Sequence, residues 1–240
     1  MRRNLIPAVL AVALSVTAAT AQVPNRFTVG AQAGYTKFGD ASALEDAPFI
    51  GVDAIYRLAN LGLGGLDVGL GFTFAASRPV TRGDQFPIVA SDYGDTTILS
   101  TVAQRVTMLQ YGLQGVLGHS FGRVRLYGTG GGGAYTTFLD SRQNVSSQAY
   151  TKPMGLVGGG LEYAVGDNFG FRFEARDLVL LDYDRDRLDP TIGYTHDNIV
   201  RDVLPPPDPA KSTIHNIQAS LVFTYVPNRR GVTEPEAVSP

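Results

Sequence analysis

Hydrophobic and polar residues alternate along this chain, and the octet Phe169–Arg176 (F-G-F-R-F-E-A-R) shows the pattern most sharply. At a period of two, Phe169, Phe171, Phe173 and Ala175 share one face, while Gly170, Arg172, Glu174 and Arg176 share the other. A soluble sheet would bury the aromatic face and leave the charges in water. A transmembrane barrel inverts this, with aromatics toward lipid and charges enclosed.

Seven further segments alternate in the same way, so the pattern predicts eight strands. They are Arg26–Phe38, Pro48–Leu58, Leu66–Ser77, Ser100–Leu117, Arg123–Phe138, Lys152–Val165, the segment carrying the octet on to Leu181, and Ser212–Tyr225. In the second, Ile50, Val52, Ala54, Tyr56 and Leu58 oppose Gly51, Asp53 and Arg57. In the third, Leu66, Val68, Leu70, Phe72 and Phe74 oppose Asp67, Gly69, Gly71 and Thr73. The fifth is so rich in glycine that its facing stays open, and with it the placement of Arg125 and Tyr127.

The connections strictly alternate in length. Ala59–Gly65, Gly118–Gly122 and Gly166–Asn168 are turn-like, whereas Gly39–Ala47, Arg78–Leu99, Leu139–Thr151 and Asp182–Lys211 are long. Tight turns at one end and long loops at the other mark outer-membrane barrels. A secreted, lipocalin-like barrel would also have eight alternating strands. Two features favour lipid outside. The polar face combines glycine with Arg, Asp, Glu and Gln, which suits a crowded narrow lumen. Phe27, Tyr56, Tyr163 and Tyr225 also fall near strand ends on the apolar face, as an interfacial girdle would.

The N-terminus adds an address. Arg2 and Arg3, the apolar run Leu5–Val16 and the small-residue site Ala19-Thr20-Ala21 read as an export signal over residues 1–21. Its removal takes two arginines from the total of 20 Lys and Arg, leaving a formal charge of −4 against 22 Asp and Glu. That balance excludes a nucleic-acid partner. No later apolar run is long enough for a membrane-spanning helix. With no cysteine, an exported chain needs stability from elsewhere, and barrel closure is one source. Residues 22–225 then form one barrel domain, and residues 226–240 a short tail.

The segments Gly158–Tyr163 (G-G-G-L-E-Y), Arg172–Arg176 (R-F-E-A-R) and the closing Ala219–Tyr225 (A-S-L-V-F-T-Y) resemble the small OmpA/OmpX-type outer-membrane β-barrel domains, across residues 26–225. The resemblance implies an all-β, eight-stranded antiparallel up-and-down transmembrane β-barrel with both termini in the periplasm. It also implies a non-enzymatic monomer in contact with outer-membrane lipid and lipopolysaccharide. Ala219–Tyr225 is similar to the terminal signal read by the barrel-assembly machinery, although fifteen residues follow Tyr225 here. Such motifs specify the barrel and say little of the individual task.

Candidate chemistry starts with the inward charges Asp53, Arg57, Asp67, Arg125, Glu162, Arg172, Glu174 and Arg176. Eight strands leave room only for side chains, and enclosed charges must be paired. An ion-pair plug is therefore expected, with a narrow path for ions or small solutes as the alternative. Gly128–Gly133 matches G-x-G-x-x-G, but the strand-like Ala134–Phe138 follows where a nucleotide site needs a helix. Some eight-stranded outer-membrane barrels are lipid A deacylases using Ser, His and an acid. His119-Ser120, in a predicted turn, lacks that spacing; His196 and His215 lie in and just after the last long loop. Asp182–Arg187 (D-Y-D-R-D-R) echoes a calcium loop without its glycine or distal glutamate. Pro205–Pro209 reads as a stiff crest. Neither a cofactor nor a metal is expected.

Overall fold

In the computed structural model the period-two segments become strands whose alternate residues point to opposite sides of one closed wall. The structure describes residues 27–60, 66–82, 87–93, 96–101, 103–139, 149–166, 168–188 and 211–227. The export signal, His196, the proline crest and the tail beyond residue 227 lie outside these. The strands are β1 (Phe27–Lys37), β2 (Ala47–Asn60), β3 (Leu66–Ser77), β4 (Pro87–Tyr93), β5 (Thr96–Thr101), β6 (Val106–Phe121), β7 (Val124–Leu139), β8 (Ala149–Ala164), β9 (Phe169–Leu181) and β10 (Thr213–Tyr225).

Eight of them close an antiparallel up-and-down barrel in the order β1-β10-β9-β8-β7-β6-β3-β2. The seam pairs Val29 with Tyr225 through to Lys37 with Ile217, so no edge of the wall is left unpaired. The remaining two, β4 and β5, form a separate two-stranded sheet.

The alternation is clearest in β9 and β10, where exposed and buried residues follow one another almost without interruption. Phe169, Phe171 and Phe173 face outward, whereas Arg172, Glu174 and Arg176 are buried. At the turn end the outer wall carries Phe27, Tyr56, Phe121, Tyr163, Phe169 and Tyr225, all exposed. Phe169 packs on Tyr225 with ring centroids 5.2 Å apart and on Phe223 at 5.7 Å.

Two expected boundaries are corrected. The fourth barrel strand starts at Val106, not Ser100, because Ser100 and Thr101 pair with Ile88 and Pro87 in the small sheet. That strand also runs on to Phe121, beyond Leu117. Its connection to β7 shrinks to Gly122-Arg123, with Gly122 at φ +64°, as a two-residue hairpin turn demands of its first position. His119 and Ser120 therefore belong to a strand and not to a turn. The facing of β7 is resolved: Arg125, Tyr127 and Thr129 point inward.

Candidate functional site: a charged lumen beneath an apolar cap

The inner face of β9 sets the layering of the interior. Arg172, Glu174 and Arg176 come first from the turn end, and Leu178 and Leu180 follow toward the loops. β2, β3, β7 and β8 likewise place their buried charges toward the turn end, where Ile55, Val116 and Val222 are also buried.

Nearest the turns, the short connections bring Asp67 at the start of β3, Arg57 near the end of β2, Arg125 at the start of β7 and Glu162 near the end of β8 to one level. Arg125 donates from Nε to Asp67 Oδ2 at 2.9 Å and from Nη1 to Glu162 Oε2 at 3.2 Å. Arg57 Nη2 lies 3.7 Å from the same Glu162 oxygen. Room for the guanidinium comes from Gly118, where a Cβ would sit 2.5 Å from an Arg125 nitrogen.

At the middle level Asp53 pairs with Arg172, which is only 1% exposed. Arg172 Nε lies 3.2 Å from Glu174 Oε2, and Arg176 Nη2 lies 2.9 Å from Glu174 Oε1. Arg176 also donates to Gln32 Oε1 at 2.7 Å and to Thr73 Oγ1 at 3.3 Å. Each level thus sets two carboxylates against two guanidiniums, so each is formally neutral. Neutrality matters because a buried charge without a partner is costly. All eight predicted residues fall into these two groups.

Sequence reasoning missed the residue that joins them. The Tyr127 hydroxyl donates to Glu174 Oε2 at 2.6 Å. Its ring lies 5.6 Å from the guanidinium carbon of Arg125 and 5.6 Å from that of Arg172, so it stacks with one cation of each level. Gly160 makes space for it: a Cβ there would lie 2.7 Å from the Tyr127 hydroxyl. Glutamines and threonines extend the network, with Gln218 donating to Gln110 at 2.9 Å and to Thr36 at 3.1 Å. Thr129 donates to Gln114 at 3.0 Å.

Toward the loops the lumen turns apolar. Val106, Met108, Met154, Leu156, Leu178, Leu180 and Ile214 are buried there together with Tyr135 and Tyr150. Loop residues complete the cluster: Phe38, Ala43 and Leu44 from the first long connection, and Tyr183 and Leu188 from the last. Tyr183 donates its hydroxyl to the Ser42 carbonyl at 2.7 Å, and Gln104 Nε2 donates to the Leu188 carbonyl at 2.6 Å. Burial holds the Tyr183 phenol well above its ordinary pKa, so it remains a donor. Leu44 bridges to Thr81, and the Arg82 amide donates to the Ala43 carbonyl at 2.8 Å, tying the second loop's base to the first. These segments form one cap.

Other candidate chemistry disperses. Gly128–Gly133 lies inside β7, and the strand itself continues to Leu139 where a nucleotide site would start a helix. Asp182 pairs with Lys152, and Asp184 Oδ2 accepts from Arg187 at 3.1 Å, so these two acids are engaged by separate basic partners. No metal-binding cluster occurs among the described residues. His119 packs edge-on against Phe121. On the outer wall, His215 Nδ1 lies 2.7 Å from Asp177 Oδ2, a contact between strands that sequence separation concealed. Among the described residues no hydroxyl is hydrogen-bonded to either imidazole.

This architecture is similar to small outer-membrane barrels of known structure. Neisserial surface protein A superposes with a TM-score of 0.50 at 13% identity, covering 83% of this chain and 96% of that one. The N-terminal barrel of Pseudomonas aeruginosa OprF gives 0.39 at 13% identity, covering 82% and 97%. Ail of Yersinia pestis gives 0.44 at 10% identity, covering 85% and 100%. No curated protein matches the sequence. At such identities the likeness carries the fold alone. Residues 6–200, however, match the outer membrane protein beta-barrel domain, and by that match over most of its length the chain belongs to this family of outer-membrane proteins.

Proposed function

We propose that this protein is a non-enzymatic outer-membrane scaffold that presents its long connections outside the cell and whose barrel does not conduct. The observation that supports it is the interior itself. Neutral ion-pair levels fill the turn half, and an apolar cap fills the loop half. Rigid frames that carry loops commonly serve recognition.

In this reading both termini and the short turns lie in the periplasm, and the outer wall contacts lipid and lipopolysaccharide as a monomer. Ala219–Tyr225 is the segment offered to the assembly machinery. That strand does not stop at its aromatic: the Val226 amide donates to the Asn168 carbonyl at 2.8 Å, carrying the chain onto the neighbouring turn.

Planar-bilayer recording tests the closed lumen. The purified barrel is expected to give no steady openings. A narrow channel, the second reading, predicts openings that Arg172→Ala or Glu174→Ala abolishes, and that result overturns the plug. A change in the cells' lipid A profile with His119→Ala or Ser120→Ala would overturn the non-enzymatic assignment.

A further inference from the structure

Four hydroxyl groups in the lumen hydrogen-bond to nothing else among the described residues: those of Ser77, Tyr135, Thr137 and Tyr150. Each of these residues is more than nine-tenths buried, and all four lie in the loop half. The unpartnered atoms of the charged levels are different in kind. Asp53, Arg57, Arg172, Glu174 and Arg176 each reach a partner through another atom.

Strand pairing gathers the hydroxyls on one side of the lumen. Ser77 on β3 stands opposite Met108 on β6, Met108 opposite Thr137 on β7, and Thr137 opposite Tyr150 on β8. One row across four strands thus carries three of them, and Tyr135 lies two residues along β7 on the same face. Thr137 and Tyr150 are neighbours, yet their hydroxyls do not meet at hydrogen-bonding geometry. The Tyr135 ring centroid lies 6.4 Å from that of Tyr150 and 6.4 Å from that of Tyr183.

A buried hydroxyl without a partner costs free energy, so a row of them inside an apolar cluster calls for a guest that supplies the bonds. Hydroxyls donate and accept but neutralise no charge, so the guest they suit is uncharged. The rest of the wall selects its body. Leu178, Leu180 and Ile214 are apolar, and Met108 and Met154 are unbranched side chains that re-pack readily. At the rim Lys152 is paired with Asp182 and Arg187 with Asp184. Above the row, the hydrogen bond from the Tyr183 hydroxyl to the Ser42 carbonyl joins the first and last long connections, so parting these two segments opens a way in.

We propose that the loop half of the lumen is a binding chamber for a small, uncharged molecule with an apolar body and a hydroxyl or carbonyl group. This rests on the non-conducting reading proposed above, in which the charged levels form a closed floor.

The chain's three methionines are Met1, Met108 and Met154. Once the export signal is removed, two methyl groups remain, and both belong to the chamber wall. The full barrel, labelled with carbon-13 at the methionine methyls, is placed in lipid nanodiscs and titrated with para-ethylphenol. Both signals are expected to shift to saturation. The probe para-ethyltoluene has the same shape without the hydroxyl and is expected to bind about tenfold more weakly. The charged para-ethylbenzoate is expected to give no saturable shift. Tyr135→Phe with Thr137→Val removes two of the hydroxyls and should lower para-ethylphenol to the level of para-ethyltoluene. The comparison of probes on the parent barrel stands whether or not that variant folds. Signals that stay still, or that drift linearly as partition into lipid would make them, overturn the proposal. Equal binding of para-ethyltoluene or para-ethylbenzoate overturns it too, as does undiminished para-ethylphenol binding in the folded variant. Saturable shifts in a barrel that conducts in planar bilayers would keep the chamber and remove its floor.

Discussion

At the scale of single residues, seven of the eight inward charges were legible because period-two alternation assigns a side to every residue of a regular strand; the placement of Arg125 stayed open with the facing of β7. Tyr127 was not, because the glycines of β7 carry no polarity from which its facing could be read. Its position between two arginines makes it a tie, and the contrast with Tyr135 is testable. Tyr127→Phe removes a hydrogen bond to a charged carboxylate and is expected to cost about 1.5–3 kcal/mol. The Tyr135 hydroxyl is buried with no hydrogen-bond partner among the described residues, so Tyr135→Phe should stay within about 1 kcal/mol of the parent. Arg172→Ala leaves Asp53 and Glu174 enclosed with one cation fewer, and about 3–5 kcal/mol should be lost. Urea unfolding of each variant in lipid vesicles gives the three values. A Tyr127→Phe variant as stable as Tyr135→Phe would show that the ring, and not its hydroxyl, joins the levels.

At the scale of elements, alternation predicts that a segment is a strand but not which strand it pairs with. Ser100–Leu117 looked continuous for that reason. Its first residues share the period of β6 yet belong to β5, and only pairing separates them. Facing errors have a different cost from pairing errors, and β9 lets that cost be measured. Phe173 is 59% exposed on the outer wall, in the lipid-facing band. Phe173→Arg is expected to destabilise folding into vesicles by about 2–4 kcal/mol if it lies near the membrane midplane. Phe173→Leu keeps an apolar surface and should change little. On the opposite face, Gly160→Val would drive a side chain into the Phe173 carbonyl and the Tyr127 hydroxyl. It should therefore destabilise despite adding apolar surface. Equal tolerance at both positions would contradict the inverted polarity of the wall.

At the scale of the whole molecule, the non-conducting reading proposed above has the barrel closed twice, by different physics. The turn half is closed by paired charges, which the sequence foreshadowed as a set of residues needing partners. The loop half is closed by apolar contact among Phe38, Leu44, Tyr183 and Leu188. No local period announces that cap, because its parts come from the first and last long connections and meet only when the barrel shuts. The two closures lie in series, and any ion path must cross both. Leu44→Ser with Leu188→Ser admits water to the cap but leaves the ion pairs below. Glu174→Ala with Arg176→Ala thins the charged level but leaves the cap above, and it keeps the formal charge balanced. Each pair alone should remain silent in planar bilayers, while the four substitutions combined should produce steady openings. Conductance from the cap pair alone would mean that the ion-pair levels are permeable. Conductance from the charge pair alone would mean that the cap leaks. Silence from the quadruple variant, once folded by its unfolding profile in vesicles, would assign closure to the remaining amide and tyrosine side chains instead.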